Sequence, residues 1–339
     1  MRRQQTIAGP AVCAGIGVHS GTHVRIALTP APVDTGIVFV RADVKAVDNV
    51  IRAHADFVSE TRNCTTIRNA SGAELATIEH LMSACAGLGV DNLFVEVDGP
   101  ELPILDGSSA QFVAVLLNAG LKVQQAPQRV IRILEAIEVR MGAKSAALTP
   151  SKGFDGLDLD VTIRFADPAI GVQRRHIELS PKSFLSDIAD ARTFGFMSDV
   201  DAMRAAGLGR GASMENTLVV DAGRVVNPEG LRFEDEFVRH KMLDAIGDLA
   251  MAGAPICGRF VADQPGHALN ARLVRALLDT PEAWCFEYRI RARNGARRPA
   301  GAGRGVRLSL AVRPTAAGAL RPANPPVSAM RSPVRRADL

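Results

Sequence analysis

Apolar residues recur at two spacings along this chain, and the spacing switches several times. His23–Leu28 alternates apolar and polar positions and ends at Pro30 and Pro32, which predicts a half-buried strand, and Ile37–Arg41 is a second short one. Between Thr77 and Gly89 the apolar Ile78, Leu81, Met82 and Cys85 recur at three and four, a helix stopped by Gly87 and Gly89. Asn92–Val97 predicts a strand and Gly107–Leu121 contains a second helix. The polar stretch Gln124–Arg129, with Pro127, separates this block from the next. Val130–Val139 and Leu157–Phe165 predict strands, Pro181–Ala189 a helix, and Ser198–Gly211 a short helix running into a glycine-rich loop. The strongest helical signal is Glu234–Ala252, with Phe237, Leu243, Ile246 and Leu249 apolar, and Leu269–Leu278 is helical as well.

The 339 residues suit two domains at roughly 100–200 residues each. The expected division is 1–126, 127–296 and an Arg/Pro/Ala-rich tail at 297–339. The tail has few large apolar residues besides Val306–Val312, too few to offset the entropy of ordering it. Two α+β halves of similar size are compatible with a structural duplication.

Charge sharpens that division. Residues 291–339 hold eleven Arg, no Lys and one acid, Asp338, so the overall +4 hides a strongly basic tail on a mildly acidic body. Scarce aromatics (one Trp, one Tyr) argue against a base-stacking nucleic-acid surface. No apolar run is long enough to span a membrane. The stretch Thr6–Val18 behind Arg2 and Arg3 contains Pro10, three glycines and no leucine, a poor leader core. Five cysteines without a CxxC pair argue against a disulfide framework and for a reducing cytoplasm.

The chemistry concentrates on three histidines. His240 and Asp244 are four apart on one helix, about 40° from one another on one face, which is half of a zinc site. Asp248 follows one turn on. His80 follows Glu79 on another helix, where neighbours diverge by about 100°, so one can ligate while the other handles a water. His267 sits in a turn leading into a helix. Together these are the parts of a metal-dependent hydrolase: two His and an Asp as ligands, a Glu as base, and a second His as acid. The bland alternatives are a surface ion pair for His240 and Asp244 and a solvated helix face for Glu79 and His80. Gly15–Gly21 reads as a β-turn and Gly207–Gly211 as a flexible loop, and neither as a phosphate loop.

The stretch Gly230-Leu-Arg-Phe-Glu-Asp-Glu-Phe-Val-Arg-His-Lys-Met-Leu-Asp-Ala-Ile-Gly-Asp248 resembles the signature of the UDP-3-O-acyl-N-acetylglucosamine deacetylase family, zinc amidases of lipid A biosynthesis in Gram-negative bacteria. Thr77-Ile-Glu-His-Leu, Gly87-Leu-Gly-Val-Asp-Asn92, Leu102-Pro-Ile-Leu-Asp-Gly-Ser108, Ala191-Arg-Thr-Phe-Gly-Phe196 and Gly266-His-Ala-Leu-Asn270 follow that family's order, and the resemblance covers about residues 4–292.

The resemblance implies an α+β fold of two domains, each a sheet layered with two helices, packed as a β-α-α-β sandwich with the site between them. It implies His80, His240 and Asp244 as ligands of Zn²⁺, with Fe²⁺ also suited to them. It implies Glu79 as base, His267 as cationic acid or oxyanion stabiliser and Asp248 as its carboxylate partner. Thr193 would contact the oxyanion and Lys241 the substrate. Val18, His19, Cys64, Phe194, Val200, Ser213, Met214, Thr217 and Val219 would line the opening, the sugar site and an apolar passage for the acyl chain. Asp167, Gln264 and Pro265 depart from the family's pattern on the nucleotide side, and Gly209 and Arg210 near the acyl passage. The expected substrate is UDP-3-O-acyl-N-acetylglucosamine. The chain is expected to be a cytoplasmic monomer without a specific nucleic-acid partner, its tail making weak contact with anionic membrane surfaces. The alternatives are a zinc amidase for another acylated amino sugar or amide, and a nucleic-acid or anionic-membrane binder driven by the tail.

Overall fold

In the computed structural model, residues 2–45 and 48–288 are described, so the expectations for the 297–339 tail lie outside the described residues. The first half is built on a five-stranded sheet in the order Ala11–Ile16, His23–Pro30, Leu93–Val97, Ile37–Arg41, Val50–Arg52. Alternation in His23–Pro30 puts Val24, Ile26 and Leu28 into the core and leaves Arg25 in solvent. Leu93–Val97 and Ile37–Arg41 run parallel and are buried at almost every position, because Ala31, Val38 and Phe94 form a second small cluster of their own.

The second half is a seven-stranded sheet. Ile137–Met141, Lys144–Thr149, Ile256–Asp263, Arg129–Ile133 and Trp284–Tyr288 follow one another, and the hairpin of Leu157–Arg164 and Val172–Glu178 joins along Ile256–Asp263. Val130–Val139, expected as one strand, is two: the chain breaks at Leu134–Ala136, where the amides of Leu134 and Glu135 turn away to the carbonyl of Ala283.

Six α-helices occur among the described residues: α1 (Glu79–Leu88), α2 (Ala110–Asn118), α3 (Pro181–Asp187), α4 (Val200–Ala205), α5 (Glu236–Leu249) and α6 (His267–Leu278). Helices α1 and α2 belong to the first half and α5 and α6 to the second, and α1 packs against α5 at the centre. The result is a β-α-α-β sandwich around one continuous core that includes Ile26, Leu81, Phe237, Leu243 and Phe260. No helix among the described residues is long and apolar enough to cross a membrane.

Two of the helix starts that differ from the periodicity matter for the site. Thr77 has φ of 58°, a conformation a helix interior does not allow, so α1 begins at Glu79. The Thr77 hydroxyl donates to Glu101 Oε1 at 3.0 Å, which ties down this turn. Helix α6 begins two residues earlier than its apolar pattern, at His267 itself.

Candidate metal centre

Both helices that carry the candidate ligands are buried. Glu79, His80, His240 and Asp244 are 3%, 4%, 1% and 2% exposed, which excludes the surface ion pair and the solvated helix face. His240 Nε2 lies 3.3 Å and His80 Nε2 3.6 Å from Asp244 Oδ1, and the three ligand atoms lie within 4.8 Å of one another. The imidazoles meet edge to face, with centroids 5.2 Å apart.

Three features fit this set to a cation. Asp244 Oδ1 is buried and has no hydrogen-bond partner, a costly state for a carboxylate oxygen that a cation relieves. His240 Nδ1 is 3.1 Å from the carbonyl of Ala191, and donation there leaves the Nε2 lone pair for a ligand bond. Burial pushes the His240 pKa down to about 3, against the pull of Asp244, so the ring is neutral. His80 lacks an equivalent anchor, its Nδ1 being buried without a partner. Burial opposes ionisation of Asp244, but His240 and Lys241 outweigh it and hold the carboxyl well below its usual range. Lys241 Nζ donates to Asp244 Oδ2 at 2.9 Å and lies 5.3 Å from the centre of the Phe194 ring.

Beside the triplet stand two groups of opposite character. Glu79 is pushed above the usual carboxylate range by burial, with His267 and His80 pulling the other way. Burial disfavours charge on His267, but Asp248, Asp244 and Glu79 outweigh it and raise its pKa to about 10. The His267 Nδ1–H donates to Asp248 Oδ2 at 2.9 Å, and its Nε2 lies 3.9 Å from Glu79 Oε1 and 4.0 Å from Asp244 Oδ2. A buried carboxylate and a buried cationic imidazole therefore face each other beside the ligands.

A model of the family described as UDP-3-O-acyl N-acetylglycosamine deacetylase matches residues 4–279. The chain belongs to this family. It is 53% identical over 281 residues to the UDP-3-O-acyl-N-acetylglucosamine deacetylase of Phenylobacterium zucineum, covering 83% of this chain and 95% of the relative. It is 48% identical over 283 residues to the proteins of the same name from Shewanella oneidensis and Shewanella violacea, covering 83% of this chain and 91% of each relative.

The remaining residues of interest in this deacetylase-family chain fall into two groups. Phe194 reaches the ligands directly, its ring centre 6.1 Å from that of His240 and 5.0 Å from that of Phe237. It opens a small sheet in which Phe194–Phe196 pairs with Leu218–Asp221, so Val219 lies opposite Gly195. Val200 begins α4 between these two strands, whereas Ser213 and Met214 are exposed and Thr217 is half-buried, its hydroxyl bonded to Asn216 Oδ1. From the first half, the carbonyls of Val18 and His19 accept from the amides of Gly211 and Arg210, which ties the segment between these two strands to the first half of the chain. Cys64 is buried 3.6 Å from the Thr66 hydroxyl, and burial and then Glu79 raise its thiol pKa to about 12. Thr193 is half-buried, with its amide donating to the carbonyl of Gly107 at 2.8 Å.

Sequence reasoning missed four contributors. Thr65 and Asn270 both donate to Asp248, Glu101 accepts from the amides of His19 and Ser20 as well as from Thr77, and Lys144 lines a depression beside Lys241. Asn270 had a signal, since it lies three residues after His267 on one helix face. Thr65, Glu101 and Lys144 had none.

Proposed function

We propose that this chain hydrolyses the N-acetyl group of UDP-3-O-acyl-N-acetylglucosamine, releasing acetate and a free amine. The observation that carries the reading is the facing of Glu79 and His267 across a buried His80–His240–Asp244 triplet. Two imidazoles and a carboxylate suit Zn²⁺, and Fe²⁺ as well. When bound there, the metal polarises the scissile carbonyl and lowers the pKa of water.

Glu79 takes a proton from the attacking water as its oxygen joins the carbonyl carbon. His267 holds a proton at Nε2 and gives it to the amine nitrogen as the C–N bond breaks. Asp248 keeps that imidazole in the required tautomer through Nδ1. The Thr193 hydroxyl stabilises the oxyanion that forms between the two steps, and the Lys241 ammonium contacts the substrate.

Substrate recognition divides between two surfaces. The acyl chain lies along the Phe194–Val219 insert, where each buried methylene contributes about 0.8 kcal/mol. The diphosphate lies at the depression lined by Lys144, Arg164, Lys241 and Phe165, which supplies three cations despite Gln264 and Pro265 at its edge.

The test measures free amine and acetate from UDP-3-O-acyl-N-acetylglucosamine, with metal quantified on the same sample and Glu79→Ala run beside it. The expected result is about one metal per chain and a rate at least about 100-fold lower in the variant at unchanged metal content. Metal binding with this substrate untouched, and another acylated amide cleaved, would move the reading to a different amidase.

A further inference from the structure

Thr65 touches both sides of the Glu79–His267 pair. It lies immediately before the strand Thr66–Arg68 in the first half of the chain and is 2% exposed. Its amide N–H donates to Glu79 Oε2 at 3.1 Å, and its hydroxyl donates to Asp248 Oδ1 at 2.6 Å. The same hydroxyl oxygen is 3.3 Å from His267 Nδ1. The other oxygen of Asp248, Oδ2, takes the His267 Nδ1–H and the Asn270 amide, each at 2.9 Å. Asp248, His267 and Asn270 all belong to α5 and α6, so the Thr65 bond reaches them from the other half of the chain.

We propose that Thr65 is a positioning residue that sets base and acid relative to each other, its amide holding the Glu79 carboxylate and its hydroxyl holding Asp248 and, through it, the His267 ring. The inference rests on the roles of Glu79 and His267 proposed above. With both oxygens of Asp248 engaged, the carboxylate plane is fixed and Oδ2 stays aimed at Nδ1. His267 Nε2 is thereby kept at its place beside Glu79 Oε1. The bond also guards against water. Thr65 and Asp248 line a cavity together with Ala55, Val58, Met251 and Arg275, and a water there is the natural replacement donor for Oδ1 once the hydroxyl is gone. A mobile water restrains the carboxylate less than a side chain fixed in the core.

The test compares metal-loaded wild type, Thr65→Val and Thr65→Ser. Thr65→Val keeps the shape and the amide but removes the hydroxyl, and Thr65→Ser restores it. The expected result for Thr65→Val is a kcat lower by about 10- to 100-fold, with KM and metal content within about twofold and most of the kcat recovered in Thr65→Ser. The downfield proton resonance of His267 Nδ1–H, sharp in wild type and Thr65→Ser, is expected to broaden in Thr65→Val. An unchanged kcat in Thr65→Val overturns the proposal, and so does an equal loss in the Ser and Val variants, since the hydroxyl would not be the agent. If Thr65→Val does not fold, Thr65→Ala against Thr65→Ser makes the same comparison. An inactive wild type defeats the functional reading instead, and the resonance then decides whether Thr65 holds Asp248 and His267.

Discussion

A Cβ on Gly247 would sit 2.1 Å from the carbonyl oxygen of Glu79. The two residues lie on α5 and α1, so these helices meet nearly backbone to backbone at the point where the site is assembled. Asp244 and Asp248 flank Gly247 on α5, and His80 follows Glu79 on α1. The close approach is therefore what brings a ligand and a base from one half of the chain to the ligands and the acid of the other.

Gly247→Ala is expected to lower both stability and turnover. Alanine would gain about 1 kcal/mol from helix propensity, but overpacking against a main-chain atom costs about 1–3 kcal/mol and moves α1 away from α5. Urea denaturation and kcat on the same preparation check this. A midpoint at or above wild type would show that the crossing is not tight.

Asp244→Asn is expected to weaken metal binding by at least about 100-fold, more than loss of an outer partner costs. The substitution keeps the shape, removes the anionic ligand and leaves Lys241 without its carboxylate. Chelator competition with Zn²⁺ measures it. Unchanged affinity would mean that the metal is held elsewhere.

Much of this site was legible in the sequence, for identifiable reasons. His240, Asp244 and Asp248 share a helix, so spacing alone places them on one side. That α1 would meet α5 was legible only through the family resemblance and not through periodicity, because the contact depends on Gly247, a residue whose lack of a side chain carries no periodic signal. The split of Val130–Val139 was missed because apolar residues continue through a break made by backbone bonds to Ala283. Thr65 and Glu101 act through single polar contacts between distant segments, which no local pattern records. On the nucleotide side, Lys144 stood in a strand of mostly small residues, Lys144–Thr149, with nothing to distinguish it from a solvated lysine.

Lys144→Ala is expected to raise KM for the UDP-linked substrate by about tenfold, the loss of one charge-assisted contact, with kcat nearly unchanged. The residue lines the depression beside Lys241 and has no part in the proton transfers proposed above. Steady-state kinetics separate the two parameters. A loss confined to kcat would place Lys144 in the chemistry and remove the depression as the diphosphate site.

The opposed characters of Glu79 and His267 set the pH dependence of both activity and stability. Turnover needs Glu79 ionised and His267 protonated, so the rate of the metal-loaded protein is expected to fall on the acid side as Glu79 gains a proton and on the alkaline side as His267 loses its own. For stability the sign follows from which state holds the proton. The His267 pKa stands at about 10 in the folded chain against about 6.5 unfolded, so between these values the folded state binds more protons. Its contribution is fully present below pH of about 6.5 and is lost as pH rises through about 10. Chelator-treated protein unfolded by urea across this range isolates the effect from the metal, with His267→Gln as the reference. Wild type is expected to lose its advantage over the variant steadily toward alkaline pH. An advantage that stays constant would mean that His267 titrates alike in the folded and unfolded chains, and the ion pair with Asp248 would then not be what keeps the imidazole charged.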